Sequence, residues 1–192
     1  FENTQRVMDA FREFRVSDTM FGSTSGYGYD DRGRDTLDQI WANVFGAEAA
    51  FVRQQIVSGT QALTIGLFGL LRPGDLMLSV AGKPYDTLEE VIGIRPSVGS
   101  LREYGVSYAQ ADLLPDGTFD YEAIRRAINE RTKLITIQRS KGYATRPTFS
   151  VNQIGELIAF CKNIKPDVLI MVDNCYGEFV ETIEPSDVGA DM

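Results

Sequence analysis

Apolar residues over positions 2–14 fall at Val7, Met8, Ala10, Phe11 and Phe14, the spacing of one helix face. Residues 36–45 repeat the pattern with Leu37, Ile40, Trp41, Val44 and Phe45, and Gly46 supplies a stop. Between these helices, residues 21–29 have no period and are rich in Gly, Ser and Tyr, which predicts a loop. From residue 49 onward the pattern alternates. Short apolar runs at residues 49–52, 76–80, 104–109, 133–138 and 168–172 predict strands. Residues 58–71, 87–93, 120–130 and 151–162 predict helices, and residues 72–75 a turn. Strands that are apolar along most of their length and separated by helices predict an α/β fold, a mostly parallel sheet with helices on both faces. Residues 1–35 read as an N-terminal arm. Residues 36–192 read as one unit, with no linker, repeat or low-complexity segment.

Composition narrows the picture. Hydrophobic residues at 43% and charged residues at 24% fit a packed core over 192 residues. The 19 Lys+Arg against 27 Asp+Glu leave a net charge of −8, which lacks the cationic footprint of a nucleic-acid or anionic-membrane binder. The longest apolar stretch, residues 62–71, is broken by Thr64, Gly66 and Gly69 and is too short to span a bilayer. The first residues carry no apolar signal segment, so a cytoplasmic protein is expected. Histidine is absent, which excludes a Ser-His-Asp triad, a Cys-His pair and a HExxH zinc site within this chain, and no metal is expected. Cys161 and Cys175 form no CxxC pair and read as free, largely buried thiols. A first residue Phe1 and a last pair Asp191-Met192 without cap or stop read as a trimmed chain.

Chemistry in such a sheet belongs at the carboxyl ends of strands, where three segments fall. Ser58-Gly59-Thr60-Gln61-Ala62 opens a helix whose first N–H groups are unpaired, with the positive dipole end behind them. It is either a phosphate cradle or an ordinary N-cap by Ser58. Asp173, after a strand buried on both faces, needs a cation or hydrogen-bond donors, and serves either a ligand or a structural hub. Tyr85, after the strand ending at Val80, is either a stacking platform for a flat ligand or a half-buried loop residue. Rival phosphate motifs fail: Met77 and Pro84 break Walker A around Lys83, and Asp31 stands at the third glycine of a dinucleotide fingerprint begun by Gly26 and Gly28.

Taken together, Ser-Gly-Thr at a helix start, Tyr85-Asp-Thr87 after the next strand and Val172-Asp-Asn-Cys-Tyr176 at a later strand end resemble pyridoxal-phosphate enzymes of the aspartate-aminotransferase fold. Within that group the chain is most similar to the cystathionine lyase and methionine gamma-lyase branch. The runs Gln138-Arg-Ser-Lys-Gly-Tyr-Ala-Thr-Arg-Pro147 and Val172-Asp-Asn-Cys-Tyr-Gly-Glu-Phe179 resemble the cystathionine beta-lyase-like aluminium resistance proteins.

The resemblance implies pyridoxal 5'-phosphate as cofactor and a carbon–sulfur lyase acting on a small-molecule sulfur amino acid by beta- or gamma-elimination. Ser58, Gly59, Thr60 and Gln61 would hold the phosphate, Tyr85 would stack on the ring and Asp173 would pair with the ring nitrogen. Cys175 stands where the branch carries Thr or Ser. Tyr27, Tyr29 and Arg32 would reach the partner subunit's phosphate, which implies a homodimer or homotetramer. The Schiff-base lysine is expected beyond Met192, and the chain reads as a partial large domain whose C-terminal domain is absent. Of its own lysines only Lys141 follows a strand end near the site, and Arg139, Lys141 and Arg146 could add positive charge there. The same motifs are compatible with transamination, or with a non-catalytic module binding a phosphorylated ligand.

Overall fold

A computed structural model describes residues 1–25, 27, 29 and 31–192. The chain divides into two compact units, Phe1–Val57 and Ser58–Met192. In the first, helix α1 (Glu2–Glu13) and helix α2 (Arg32–Val44) bury Ala10, Ile40 and Val44 against Val7, Phe14 and Phe45. Helix α2 begins four residues before the expected Thr36 because Asp31 caps it, accepting the Arg34 N–H at 3.1 Å. That bond, followed by the Thr24 hydroxyl, holds the Asp31 carboxyl below its ordinary range. Gly46, at φ 61°, ends α2 as expected. A 3-10 turn, Asp18–Phe21, lies between the helices. The expected loop over residues 21–29 contains Gly26 and Gly28, which lie outside the described residues.

Gly33 stands where a Cβ would meet the Met20 carbonyl oxygen at 2.2 Å. Gly33→Ala must therefore push the 3-10 turn off α2. The thermal unfolding midpoint should fall by an amount equivalent to about 1–3 kcal/mol, the ordinary range for overpacking.

Residues 49–52 are not a strand. The Val52 N–H donates to Asp38 Oδ1 at 2.8 Å, and Arg53 closes the same carboxylate at 2.7 Å. Phe51 stays 63% exposed, with the Arg53 guanidinium over its ring. An apolar run of four residues without a ladder partner has no reason to stay extended in a sheet.

The second unit carries the sheet. Strands β1 (Leu76–Ser79), β2 (Ser107–Gln110), β3 (Thr132–Gln138) and β4 (Leu169–Asp173) lie in the order β2-β1-β3-β4, every pair parallel. Neighbouring residues on a strand feed opposite cores, as the strand period requires. Met77, Leu134 and Met171 pack with Leu67, Leu71, Leu88 and Ile92 from helices α3 (Gly59–Leu70) and α4 (Asp86–Ile92) and the α3 C-cap. Leu78, Ile135 and Ile170 pack with Ile124, Ile154, Leu157 and Ile158 from helices α5 (Tyr121–Ala127) and α6 (Val151–Ile164). Helices thus cover both faces of a parallel sheet, the expected α/β arrangement.

Two boundaries of this unit differ from expectation by three residues. Strand β2 starts at Ser107, not residue 104, because Gly105 (φ 91°) turns the chain and Val106 N–H returns to the Leu101 carbonyl. Helix α5 stops at Ala127, since Ile128 is extended and Asn129 closes a turn onto the Thr132 hydroxyl. Among the described residues, no helix is long and apolar enough to cross a membrane.

Candidate functional site

The chain leaves β1 toward β2 on one side and returns to β3 on the other, so the connections diverge between β1 and β3. Ligand crevices form outside the carboxyl ends of strands at such a point. A small cleft of about 20 Å³ opens there, enough for a water or two. Its walls include Leu63 of α3, Ser79 of β1, Pro84, Leu88 of α4, Gln138 of β3 and Asp173 of β4.

Ser58 does what an N-cap does. It is extended, and its Oγ accepts the Gln61 N–H at 3.1 Å. The N–H groups of Gly59 and Thr60 have no carbonyl four residues back within the helix. A Cβ on Gly59 would meet nothing within 4 Å, so the approach to this turn is open. The Thr60 and Thr87 hydroxyls are 2.8 Å apart and join the heads of α3 and α4. The cap thus fixes the turn that presents the Gly59 and Thr60 N–H groups. Ser58→Ala should cost about 1 kcal/mol through the lost cap, read as a fall of roughly 2–4 °C in the unfolding midpoint.

Tyr85 is fixed at its backbone, where its N–H donates to Gln138 Oε1 at 2.9 Å. Its ring is 37% exposed, with Tyr143 6.3 Å away centroid to centroid. Burial, then the neighbouring Tyr143, raises its hydroxyl pKa above the ordinary value. Gly142, at φ 55°, serves the left-handed backbone of the loop beside the ring, where a Cβ would make only ordinary contact with Tyr85 Cδ2 at 3.6 Å.

Asp173 ends β4 opposite Gln138. Its Oδ1 accepts the Cys175 N–H at 3.2 Å. Burial raises its pKa, the Cys175 N–H opposes that weakly, and no cation among the described residues pairs with it. A half-buried carboxylate with one weak donor is under-satisfied by the protein. Cys175 is an exposed free thiol and Cys161 a buried one whose pKa burial pushes up to about 12, so only one of the two thiols expected to be buried is so.

The expected positive rim is largely committed elsewhere. Arg139 is 2% exposed and donates to the Phe149 and Gly177 carbonyls, to Asn174 Oδ1 and to Glu181. Arg146 donates to the carbonyls of Gln138, Ser140 and Pro147 and covers the Phe149 ring. Both shape the loops around the cleft and do not line it; Lys141 is exposed. Sequence reasoning missed Asn174, Gly177, Glu181 and Glu184 as the frame behind Asp173. The only local signal was the Gly four residues after the Asp.

Ser58, Gly59, Thr60, Gln61, Tyr85, Asp173 and Cys175 all belong to the second unit. Tyr29 and Arg32 belong to the first. Tyr29 is exposed and stacked on Tyr27 at 6.1 Å, and Arg32 opens α2 at an exposed position. Among the described residues no group of His, Cys, Asp and Glu could hold a metal ion.

A family model described as Methionine gamma-lyase matches residues 1–192. Uncharacterized protein YnbB of Bacillus subtilis (strain 168) is 55% identical over 192 residues, 99% of this chain and 46% of its own length. A crystal structure from Listeria innocua, described as a candidate cystathionine beta-lyase involved in aluminum resistance, is 54% identical. It superposes with a TM-score of 0.97 over 98% of this chain and 47% of its own. A carbon-sulfur lyase involved in aluminum resistance from Clostridium novyi NT is 48% identical, with a TM-score of 0.95 over 99% of this chain and 46% of its own. The chain spans about half the length of these relatives.

Proposed function

The chain belongs to the methionine gamma-lyase family, and on that premise we propose that the whole protein is a pyridoxal-phosphate-dependent carbon–sulfur lyase. Its substrate class is a sulfur amino acid, from which a thiol leaves the beta or gamma carbon. The observation that carries the cofactor part is Asp173, a half-buried carboxylate that pairs with no cation among the described residues, at the end of β4 in the cleft walled by Leu63 of α3, Pro84 and Leu88.

The residues present fit pyridoxal 5'-phosphate. Bound here, it would supply an electron sink for the carbanion left when the alpha proton is removed. Asp173 would hold the proton on the ring nitrogen, and its poor satisfaction by the protein leaves an oxygen for that bond. Tyr85 would cover one ring face. The Gly59, Thr60 and Gln61 end of α3, with the Ser58 and Thr60 hydroxyls, would hold the phosphate through the helix dipole and hydrogen bonds. Cys175 would flank the ring with a thiol in place of a hydroxyl. Tyr29 and Arg32 would reach the phosphate of a partner subunit in a dimer or tetramer. The lysine that binds the cofactor aldehyde and moves the proton is expected beyond Met192. The arm is proposed to run through residue 35, with residues 36–192 as part of the large domain, in a cytoplasmic protein.

The test uses the full-length protein. Added pyridoxal phosphate should give a visible band, and borohydride reduction should fix the adduct on a lysine beyond Met192, located by peptide mass. An adduct on Lys141 would overturn the site assignment, and no band would overturn the cofactor reading. Thiol and keto-acid release from a panel of sulfur amino acids should follow. Amino transfer to an added keto acid, without thiol release, would replace the lyase reading with transamination.

A further inference from the structure

Behind Asp173 lies a buried polar cluster that touches no ligand position. Arg139 follows β3, and its N–H donates to the Asp173 carbonyl at 3.0 Å. Its guanidinium is directed at the turn after Asp173: Nη1 reaches Asn174 Oδ1 at 2.7 Å and the Gly177 carbonyl at 2.9 Å. Nε and Nη2 are taken by the Phe149 carbonyl and Glu181. The Asn174 amide is held at its other end too, because Nδ2 donates to Glu184 Oε2 at 3.0 Å. Glu184 is itself buried, and its other oxygen accepts the Phe179 N–H at 2.8 Å.

A cation on one side and a carboxylate on the other thus fix which way the Asn174 amide points. The turn it holds is an unfavourable one. Tyr176 and Phe179 both have positive φ, at 65° and 61°, where side chains are disfavoured. Without an external brace the chain would relax such a turn. The brace sits one residue from the carboxylate that lines the cleft.

We propose that Arg139, acting through Asn174, is a positioning residue that holds the Asp173 turn so that the carboxylate stays aimed into the cleft. The proposal rests on the cofactor reading above. Of the bonds that Arg139 makes to this turn, the one to Asn174 is to a side chain and can be removed without altering the backbone.

Asn174→Ala removes that amide and leaves Arg139 its bonds to Phe149, Gly177 and Glu181. Two readouts on the full-length protein test it. The first is the dissociation constant for pyridoxal phosphate from the visible titration, expected to rise about tenfold or more, as small misplacements of a contact group do. The second needs no cofactor: the rate at which iodoacetamide alkylates Cys175, followed on its peptide by mass. Cys175 is exposed, and its thiol is held above its ordinary pKa by burial and by Asp173. A loosened turn should raise its rate about fivefold or more, through a larger thiolate fraction and better access. Buried Cys161 serves as the silent control.

An unchanged dissociation constant and alkylation rate would overturn the proposal. So would a lower unfolding midpoint with an unchanged dissociation constant, the behaviour of a purely structural hub. Should Asn174→Ala fail to fold, Arg139→Lys gives the same readouts, since it keeps a cation facing Glu181 and loses the fork. If the unaltered protein shows no visible band, the cofactor reading fails, and the Cys175 rates alone decide whether Arg139 holds the turn.

Discussion

Asp173→Asn should weaken pyridoxal-phosphate binding by about tenfold to a hundredfold, the worth of one charge-assisted hydrogen bond. The same substitution should stabilise the cofactor-free protein. The opposite signs have one cause. Burial holds this carboxyl above its ordinary value of 3.8, with only the Cys175 N–H opposing. Between that value and the raised folded one, the native state binds more protons than the unfolded state, so stability falls as pH rises through the window. Above it the full desolvation cost is present. Asparagine has the same shape and no charge to desolvate, so it removes both the cost and the slope. The stability of the cofactor-free parent relative to the Asn variant should therefore fall from about pH 4 upward, the other carboxylates being common to both. Thermal unfolding across pH, with and without cofactor, measures both effects. A cofactor-free variant that is less stable than its parent would mean Asp173 is satisfied by the protein and has a structural task. Unchanged cofactor affinity would remove Asp173 from the site.

How far the sequence foretells this depends on whether the cause is local. Strands β3 and β4 and helix α6 were legible because their burial patterns are long and their caps sit beside them, as Ser150 and Gln153 do for α6. The Ser58 turn and Asp173 were legible for the same reason, since each directly adjoins a strong periodic element. Residues 49–52 look like a strand because a run of apolar residues cannot reveal whether a neighbour strand exists. The long α2 start was missed because Asp31 caps it from within a Gly-rich stretch. Arg139 reads from the sequence as a residue that could add positive charge at the rim, and it is the most buried cation among the described residues. Its partner Glu181 lies 42 residues away, and nothing near Arg139 in sequence signals that pairing. The frame behind Asp173 was therefore invisible, whereas the residue it frames was not.

Gly177 is the part of that frame least able to change. A Cβ there would stand 2.5 Å from Arg139 Nη1, 2.5 Å from Asn174 Oδ1 and 2.8 Å from Arg139 Cδ. A clash with the tip of a free side chain is cheap, since the tip swings away. Here the guanidinium is pinned by the Phe149 carbonyl, Glu181 and Asn174, and Asn174 is pinned by Glu184. Relief means loosening the Arg139–Glu181 pair, whose carboxylate is only partly buried, or displacing the turn, and overpacking of this kind costs about 1–3 kcal/mol. Gly177→Ala should thus lower the unfolding midpoint by roughly 5 °C in a chain of this size. It should also weaken the cofactor, because the displaced turn carries Asp173. The cause can be isolated with a double-mutant cycle. Arg139→Met is itself destabilising, as it takes the guanidinium from Glu181 and from the Phe149 and Gly177 carbonyls, but it removes Nη1, one of the two atoms that the new methyl would meet at 2.5 Å, and unpins the other, Asn174 Oδ1. Adding Gly177→Ala to that background should then cost much less than adding it to the parent, a coupling of about 1–3 kcal/mol in calorimetry. Additive losses would mean that Gly177 is required by its backbone and not by the side chain packed against it.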